Sequence, residues 1–408
     1  MNYRFVKVTS YYRAFLDDYY IRNNNILYKP YDEHLAGIME EGFGWADFFQ
    51  RHLTELGIEA YEIIFNADQL QKQWAVEHGL SKSGEALLLE QLKHLKPEII
   101  FFQDSLSFSK EFIKSLKKEI STLKKIIGWC CSPFNADQLQ NFKYFDFNFG
   151  CSEKFIGVFK KNNIKAYELN HAFESSLLNQ INIDNNYPEP DLIFIGSFIL
   201  NSDFHDLRLK ILEELLDKNI GISIYANLKQ ESFLKLKLRQ GGYILSHSLA
   251  AIGLKEWMLK NNSLKKSYHL KDLPKRGNFS KKFLSTLSAQ PLFGKEMLKA
   301  ISKSKIGFNS HGGVAGDYAA NSRMFEVTGV GSCLLTDHKK NIGKFFQVDK
   351  EIITYNSAED CIEKVKWLLN HPAERKEIAA SGQQKTLKDH TFKQRAAQLN
   401  EIILSELK

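Results

Sequence analysis

The chain has 408 residues, 43% hydrophobic and 25% charged, a globular composition long enough for two domains. Its net charge of +7 is modest and spread out: it suits an anionic small ligand or a loose contact with an acidic membrane surface and argues against nucleic acid. The five cysteines, odd in number and without a CxxC pair, predict buried free thiols in a reducing compartment rather than disulfides or a zinc site. No signal-peptide core opens the sequence and no apolar run reaches membrane-spanning length, so a soluble, cytoplasmic protein is expected.

In chain order, residues 3–8 predict a first strand. Residues 11–34, crowded with Tyr, Asn and Asp, predict an irregular segment. Gly42 and Gly44 then punctuate a turn before a helix over 45–56, and Gly57 stops it. A strand at 60–65, helices at 67–78 and 86–95, and a short buried strand at 97–103 follow. That strand ends on Asp104, where an open α/β sheet places its ligand crevice. A basic helix is predicted at 110–123, with strands at 125–130, 145–150 and 166–169. Strands alternating with helices imply a parallel sheet.

Residues 179–190, polar and with two prolines, read as a linker. A buried strand restarts at 192–195 and ends on Gly196 and Ser197, followed by a helix at 206–216 and a strand at 222–225. Residues 227–295 are Lys-rich, with a helical pattern at 249–259; their lysines are a solvated face or a lipid-facing surface. A helix at 293–304 leads into the stretch IGFNSHGGVAGDYAANSRMFEVTGVGSCLLTD, residues 306–337. It reads as strand, glycine loop, helix over 319–327, and strand closing on Asp337, the way an α/β domain holds a phosphorylated ligand. A strand at 351–355, a helix at 358–369, and a tail broken at Gly382 before a last helix complete the chain.

Several of these motifs together resemble the CgeB-type branch of the GT-B glycosyltransferases: IFIGS at 193–197 with His205 and Arg208, PLFGKEML at 291–298, NSHGGVAGDYAANSRMFEVTGVGSCLLTD at 309–337, and HPAERKEIAASGQQKTLKDHTFKQR at 371–395. The phrase NADQLQKQWAVEHG at 66–79 resembles the acceptor-side half of bacterial members. The resemblance implies an α/β fold of GT-B type, two Rossmann-like domains with parallel sheets facing across a cleft. Residues 1–180 would take the acceptor, with a terminal helix at 391–408 packing back on them; 190–390 would take the donor.

The implied activity is transfer of a sugar from a UDP- or GDP-sugar, without a prosthetic group, to a glycan or lipid-linked acceptor in cell-surface polysaccharide or glycoconjugate synthesis. The enzyme would work in the cytoplasm or peripherally at the inner face of the membrane. Glu326, one helical turn after Arg323, would accept hydrogen bonds from the ribose hydroxyls. Gly196, His205, Arg208 and Arg323 would surround the diphosphate, where guanidinium forks replace a metal. His311, Gly312, Gly313 and Asn321 would line the donor loop. Tyr318 stands where the larger retaining family's Glu-x7-Glu pattern has its first Glu, which leaves the stereochemistry open. Asp47, His34 and Asp104 are candidate bases. An inactive GT-B-shaped binding protein and a nucleotide-sugar epimerase of the same fold are the alternatives.

Overall fold

The structure is a computed structural model that describes residues 2–181, 189–198, 206–228, 232–270, 272–274, 279–288, 290–311 and 313–408. Packing divides the chain into two compact units, Met1–Asp191 with Phe293–Lys408, and Leu192–Leu292.

In the first unit six strands form a parallel sheet: β1 (Arg4–Thr9), β2 (Glu59–Ile64), β3 (Ile99–Phe102), β4 (Lys125–Cys130), β5 (Phe147–Gly150) and β6 (Ala166–Glu168), in the order β2-β1-β3-β4-β5-β6. The order reverses between β1 and β3, so a crevice opens outside their carboxyl ends. The strands are mostly apolar on both faces because both are covered, with the buried Lys7 and Glu62 as exceptions. On one face Val6, Val8, Ile100 and Phe102 pack with Leu88, Leu92, Phe112 and Leu116 of two helices. On the other, Phe101 meets Phe5, Trp45 and Phe49.

The last helix, Phe392–Glu406, closes that second face. The Phe392 ring packs on Phe48, Phe49 and Trp45 at centroid distances of 4.9, 5.5 and 6.1 Å. Tyr3 donates to Asn400 at 2.8 Å, and Gln398 donates to the Glu168 carbonyl at 3.0 Å. Burying one phenylalanine contributes about 2 kcal/mol, so this helix is a main part of the core.

The second unit holds β7 (Leu192–Ser197) and β8 (Ile222–Asn227), paired in parallel. Back in the first unit, β9 (Ile306–Asn309), β10 (Cys333–Asp337) and β11 (Ile353–Tyr355) form a parallel ladder with β10 central.

Three expectations need correction. Residues 11–34 are not irregular: helices Arg13–Arg22 and Tyr31–Glu40 flank a 3-10 turn, Asn24–Tyr28. Tyr, Asn and Asp are poor helix formers, but Phe15, Leu16 and Tyr19 bury one face, and packing overrides propensity. The tail does not break at Gly382, since helix Pro372–Asp389 runs through it. A Cβ there would lie 2.3 Å from the Glu351 carbonyl oxygen, so the glycine serves close packing. The break falls at Thr391, which forms a capping box with Gln394.

The third concerns the thiols: Cys131 and Cys151 are joined by a disulfide, contrary to the expected free cysteines. They follow β4 and β5 directly, and adjacent parallel strands bring them to a Cα separation of 5.4 Å. Cys130, Cys333 and Cys361 are free and buried, and burial pushes the Cys130 and Cys333 thiols up to about 12. No helix among the described residues is long and apolar enough to cross a membrane.

Candidate functional site

The stretch 306–337 is built on β9 and β10, in register from Cys333 opposite Ile306 to Thr336 opposite Asn309. Helix Arg323–Gly329 lies close over β9, because a Cβ on Gly307 would fall 2.4 Å from Val327. This helix starts later than expected. Ala319 is pinned by Asn341, which accepts from its N–H at 2.6 Å and donates to its carbonyl at 3.1 Å. Asn321 donates to Asn309 Oδ1 at 2.8 Å. These side-chain bonds hold the backbone out of the helix until Arg323.

At the carboxyl end of β9 sits His311. Its backbone N–H donates to Asp337 Oδ1 at 2.8 Å, and its Nδ1 lies 2.7 Å from the same oxygen. Lys339 Nζ is 3.1 Å from Asp337 Oδ2 and donates to the Gly316 carbonyl at 3.1 Å. Burial works against the Asp337 carboxylate, but His311 and then Lys339 overcome it and hold its pKa below the ordinary value. The carboxylate fixes the proton on Nδ1 and leaves Nε2 for another partner. The imidazole is 97% buried (3% exposed), yet Nε2 has no hydrogen-bond partner among the described residues. That leaves one buried hydrogen-bonding position of the imidazole open.

Arg323 and Glu326 pair at 2.9 Å, with 17% and 15% of their side chains exposed. The pair is therefore half sequestered rather than a solvated surface bridge. Arg323 also lies 2.9 Å from the Met297 sulfur. The PLFGKEML motif reaches this site through the helix Gly294–Lys303, whose Gly294 has a φ of +49° and admits the Glu41 carbonyl where a Cβ would come within 2.0 Å. The Gly42–Gly44 turn lies here as well, both glycines at a φ of +66° and Gly42 tight against Leu177.

Tyr12, just beyond β1, is 72% exposed, yet desolvation raises its phenol. Glu326 and Asp104 raise it further and Arg323 lowers it. Asp104, Arg323 and Glu326 therefore lie within electrostatic range of the Tyr12 hydroxyl. Cys131 Sγ lies 3.2 Å from the Ala320 carbonyl. The disulfide leaves that sulfur no proton, so this is a packing contact.

The three candidate bases are placed differently. Asp47 is bound by Arg51 at 2.6 and 2.8 Å. Beneath it Lys7 and Glu62, opposite each other on β1 and β2, pair at 3.2 Å in full burial, which drives the Glu62 carboxyl up to about 8. His34 is buried, 3.1 Å from the Tyr20 hydroxyl, and burial lowers its imidazole to about 4. Asp104 is half-buried and takes the Ser107 hydroxyl. Of the three, it is the one that raises the Tyr12 phenol.

In the second unit Gly196 lies near the end of β7 against the Phe194 ring. Arg208, on helix Asp206–Asp217, donates to the Ser197 carbonyl at 2.8 Å and stacks over Phe194 at 5.4 Å. Gly313 opens a 3-10 turn, Gly313–Ala315. His205 and Gly312 lie outside the described residues.

Asp337, Lys339 and Tyr12 were missed as site residues. Asp337 had a legible signal, a carboxylate ending a strand beside a glycine loop. Lys339 and Tyr12 had none, because their roles depend on which strands are neighbours.

With this geometry in place, likeness to known proteins can be stated. Residues 267–401 match a family model described as glycosyl transferase-like. No curated protein sequence matches the chain. Among solved structures, a glycosyltransferase from Rickettsia africae is similar at a TM-score of 0.55 and 10% identity, over 100% of this chain and 99% of that one. Anabaena Alr3699/HepE in complex with UDP gives 0.52 and 9%, over 98% and 100%. A sucrose-phosphate synthase from Thermosynechococcus elongatus gives 0.54 and 8%, over 98% and 99%.

The chain has the GT-B fold. Its parallel strands, the β1/β3 crevice and the loop after β9 are thus parts of that fold.

Proposed function

We propose that the chain is a glycosyltransferase of the CgeB-like type, moving a sugar from a nucleoside diphosphate sugar to a glycan or lipid-linked acceptor in cell-surface polysaccharide or glycoconjugate synthesis. Residues 190–390 take the donor and 1–180, with 391–408, the acceptor. The observation that carries the reading is His311 Nε2, buried, without a partner among the described residues and fixed in orientation by Asp337. In its protonated form Nε2 donates to an anionic oxygen, and its carboxylate and ammonium neighbours keep it in place without reorganisation. Glu326 takes the ribose hydroxyls, and Arg323 orients it.

UDP is the first donor nucleotide to test, ahead of GDP, because Alr3699/HepE is solved with UDP and with UDP-glucose. For Arg208, which already bonds within its own unit, the implied diphosphate role is tested by Arg208→Ala. Asp104 is the base we favour: it stands at the β1/β3 crevice within electrostatic range of the Tyr12 hydroxyl, while Arg51 holds Asp47 and burial neutralises His34. The reaction is proposed to need no metal and to take place in the cytoplasm.

Calorimetric titration of UDP and GDP tests the donor site. Wild type is expected to bind one of them, and Glu326→Ala to weaken it by roughly tenfold or more. Unchanged binding by Glu326→Ala would remove the assignment, and loss of transfer on adding a chelator would remove the metal-free mechanism. Conversion of a nucleotide sugar with no acceptor present would point to an epimerase.

A further inference from the structure

The charge of this chain is unevenly distributed. Residues 229–282 contain thirteen Lys and Arg against three Asp and Glu, a surplus of ten, whereas the whole chain carries +7; the remainder is therefore at −3. In the same segment, helix Phe233–Ala251 buries Leu236 and Ser246 on one side. On the other, Leu234, Leu238 and Leu245 recur at helical intervals of four and seven, and Ile252 continues the line. These four are 50–71% exposed, and Trp257, on the short helix Lys255–Leu259, is 62% exposed. A row of exposed leucines with a tryptophan at its end is not ordinary surface scatter.

Cations surround the row. Lys235, Lys237, Lys255 and Lys260 are exposed and form no ion pair among the described residues. Lys237 and Lys255 lie 5.5 Å over the Phe233 and Tyr268 rings. An apolar stripe flanked by uncompensated lysines, with an aromatic ring at its edge, is the pattern of a helix lying in the interface of an anionic bilayer. The leucines enter the acyl boundary while the lysine stems reach back to the headgroups.

We propose that residues 233–260 dock the protein onto a lipid surface carrying anionic headgroups. A second copy fits poorly, since residues 233–260 hold five Lys and Arg against one Glu, and pairing the stripe with itself sets that surplus of four cations against the same surplus. A nucleic acid explains the lysines and leaves the leucine row without a role, since such interfaces are polar and wet. The docking stands independently of the transfer reaction and supplies a physical basis for a lipid-linked acceptor.

Co-sedimentation with vesicles tests it. The wild type is expected to pellet with phosphatidylcholine vesicles that contain phosphatidylglycerol and to stay in solution with phosphatidylcholine alone. Leu238→Ser combined with Leu245→Ser is expected to lower partitioning at least about tenfold. Lys235→Glu combined with Lys237→Glu is expected to lower it by about fivefold or more per cation, and added salt to mimic that loss. All these positions are exposed, so the melting temperature of each variant should match wild type, which excludes unfolding as the cause. The proposal fails if wild type ignores both vesicles, or if the leucine variant binds as well as wild type. It also fails if the leucine variant merely dissolves a dimer seen by light scattering, or if a DNA duplex is bound equally by wild type and leucine variant.

Discussion

The His311–Asp337 contact sets the chemistry of the loop at the residue scale. Asp337 answers both the imidazole and Lys339, so its removal leaves the buried Nδ1 of His311 without its carboxylate and Lys339 with the Gly316 carbonyl. Asp337→Asn is expected to weaken donor binding by roughly tenfold and His311→Ala by roughly ten- to a hundredfold, the range of a charge-assisted hydrogen bond. Calorimetry with the nucleotide that wild type binds reads both. The candidate bases separate by substitution: Asp104→Asn is expected to cost at least about a hundredfold in transfer while leaving donor affinity unchanged. Asp47→Asn is expected to keep transfer and lose only about 1 kcal/mol of stability, because the Arg51 pair is partly solvated. A full loss of turnover in Asp47→Asn with Asp104→Asn unaffected would reverse that assignment.

At the level of elements, the period of the apolar residues made most strands and many helices legible. The strand at 125–130 matches the structure at both ends, and the helix expected at 86–95 matches at its last residue but starts two residues earlier, at Gly84. Residues 11–34 were misread because Tyr19 was counted as polar when its ring is buried. The late start of helix Arg323–Gly329 was not legible, because it depends on Asn341, which lies beyond β10. The disulfide required knowing that β4 and β5 are adjacent. Glycine carries the same lesson. Gly382 and Gly157 both lie inside helices, but a Cβ at Gly382 meets the Glu351 carbonyl whereas one at Gly157 meets nothing within 4 Å. Alanine at 157 is expected to stabilise by about 1 kcal/mol through helix propensity. Alanine at 382 is expected to destabilise despite that gain, by about 2 kcal/mol or more. Thermal melts of the two variants should move in opposite directions.

For the whole molecule, buried titrating groups predict an acid-sensitive fold. Burial lowers His34, His171 and His390 to about 4 from an ordinary 6.5. Each therefore contributes stability that is fully present above pH 6.5 and lost as the pH falls toward 4. Glu62 acts in the opposite sense. Its carboxyl is raised from 4.5 to about 8, so its contribution is full below 4.5 and lost as the pH rises through 8. Between pH 6.5 and 4.5 three groups lose stability and one gains it, giving a net loss on the order of a few kcal/mol. The melting temperature is expected to be lower at pH 5 than at pH 7, with a smaller drop in His34→Gln. A higher melting temperature at pH 5 would show that Glu62 dominates.

The helix Phe392–Glu406 also has a temporal consequence. Tyr3 and Asn400 are hydrogen-bonded across 397 positions of sequence. A ribosome adding 5–20 residues per second needs about 20–80 seconds to deliver the second after the first. Until Phe392 is made, the sides of Trp45, Phe48 and Phe49 that it packs on lack that partner, so the newborn chain presents part of an aromatic face to its surroundings. That is when chaperone binding should be strongest. It is also when a stall or premature stop leaves a product with a nearly complete sequence and an open core.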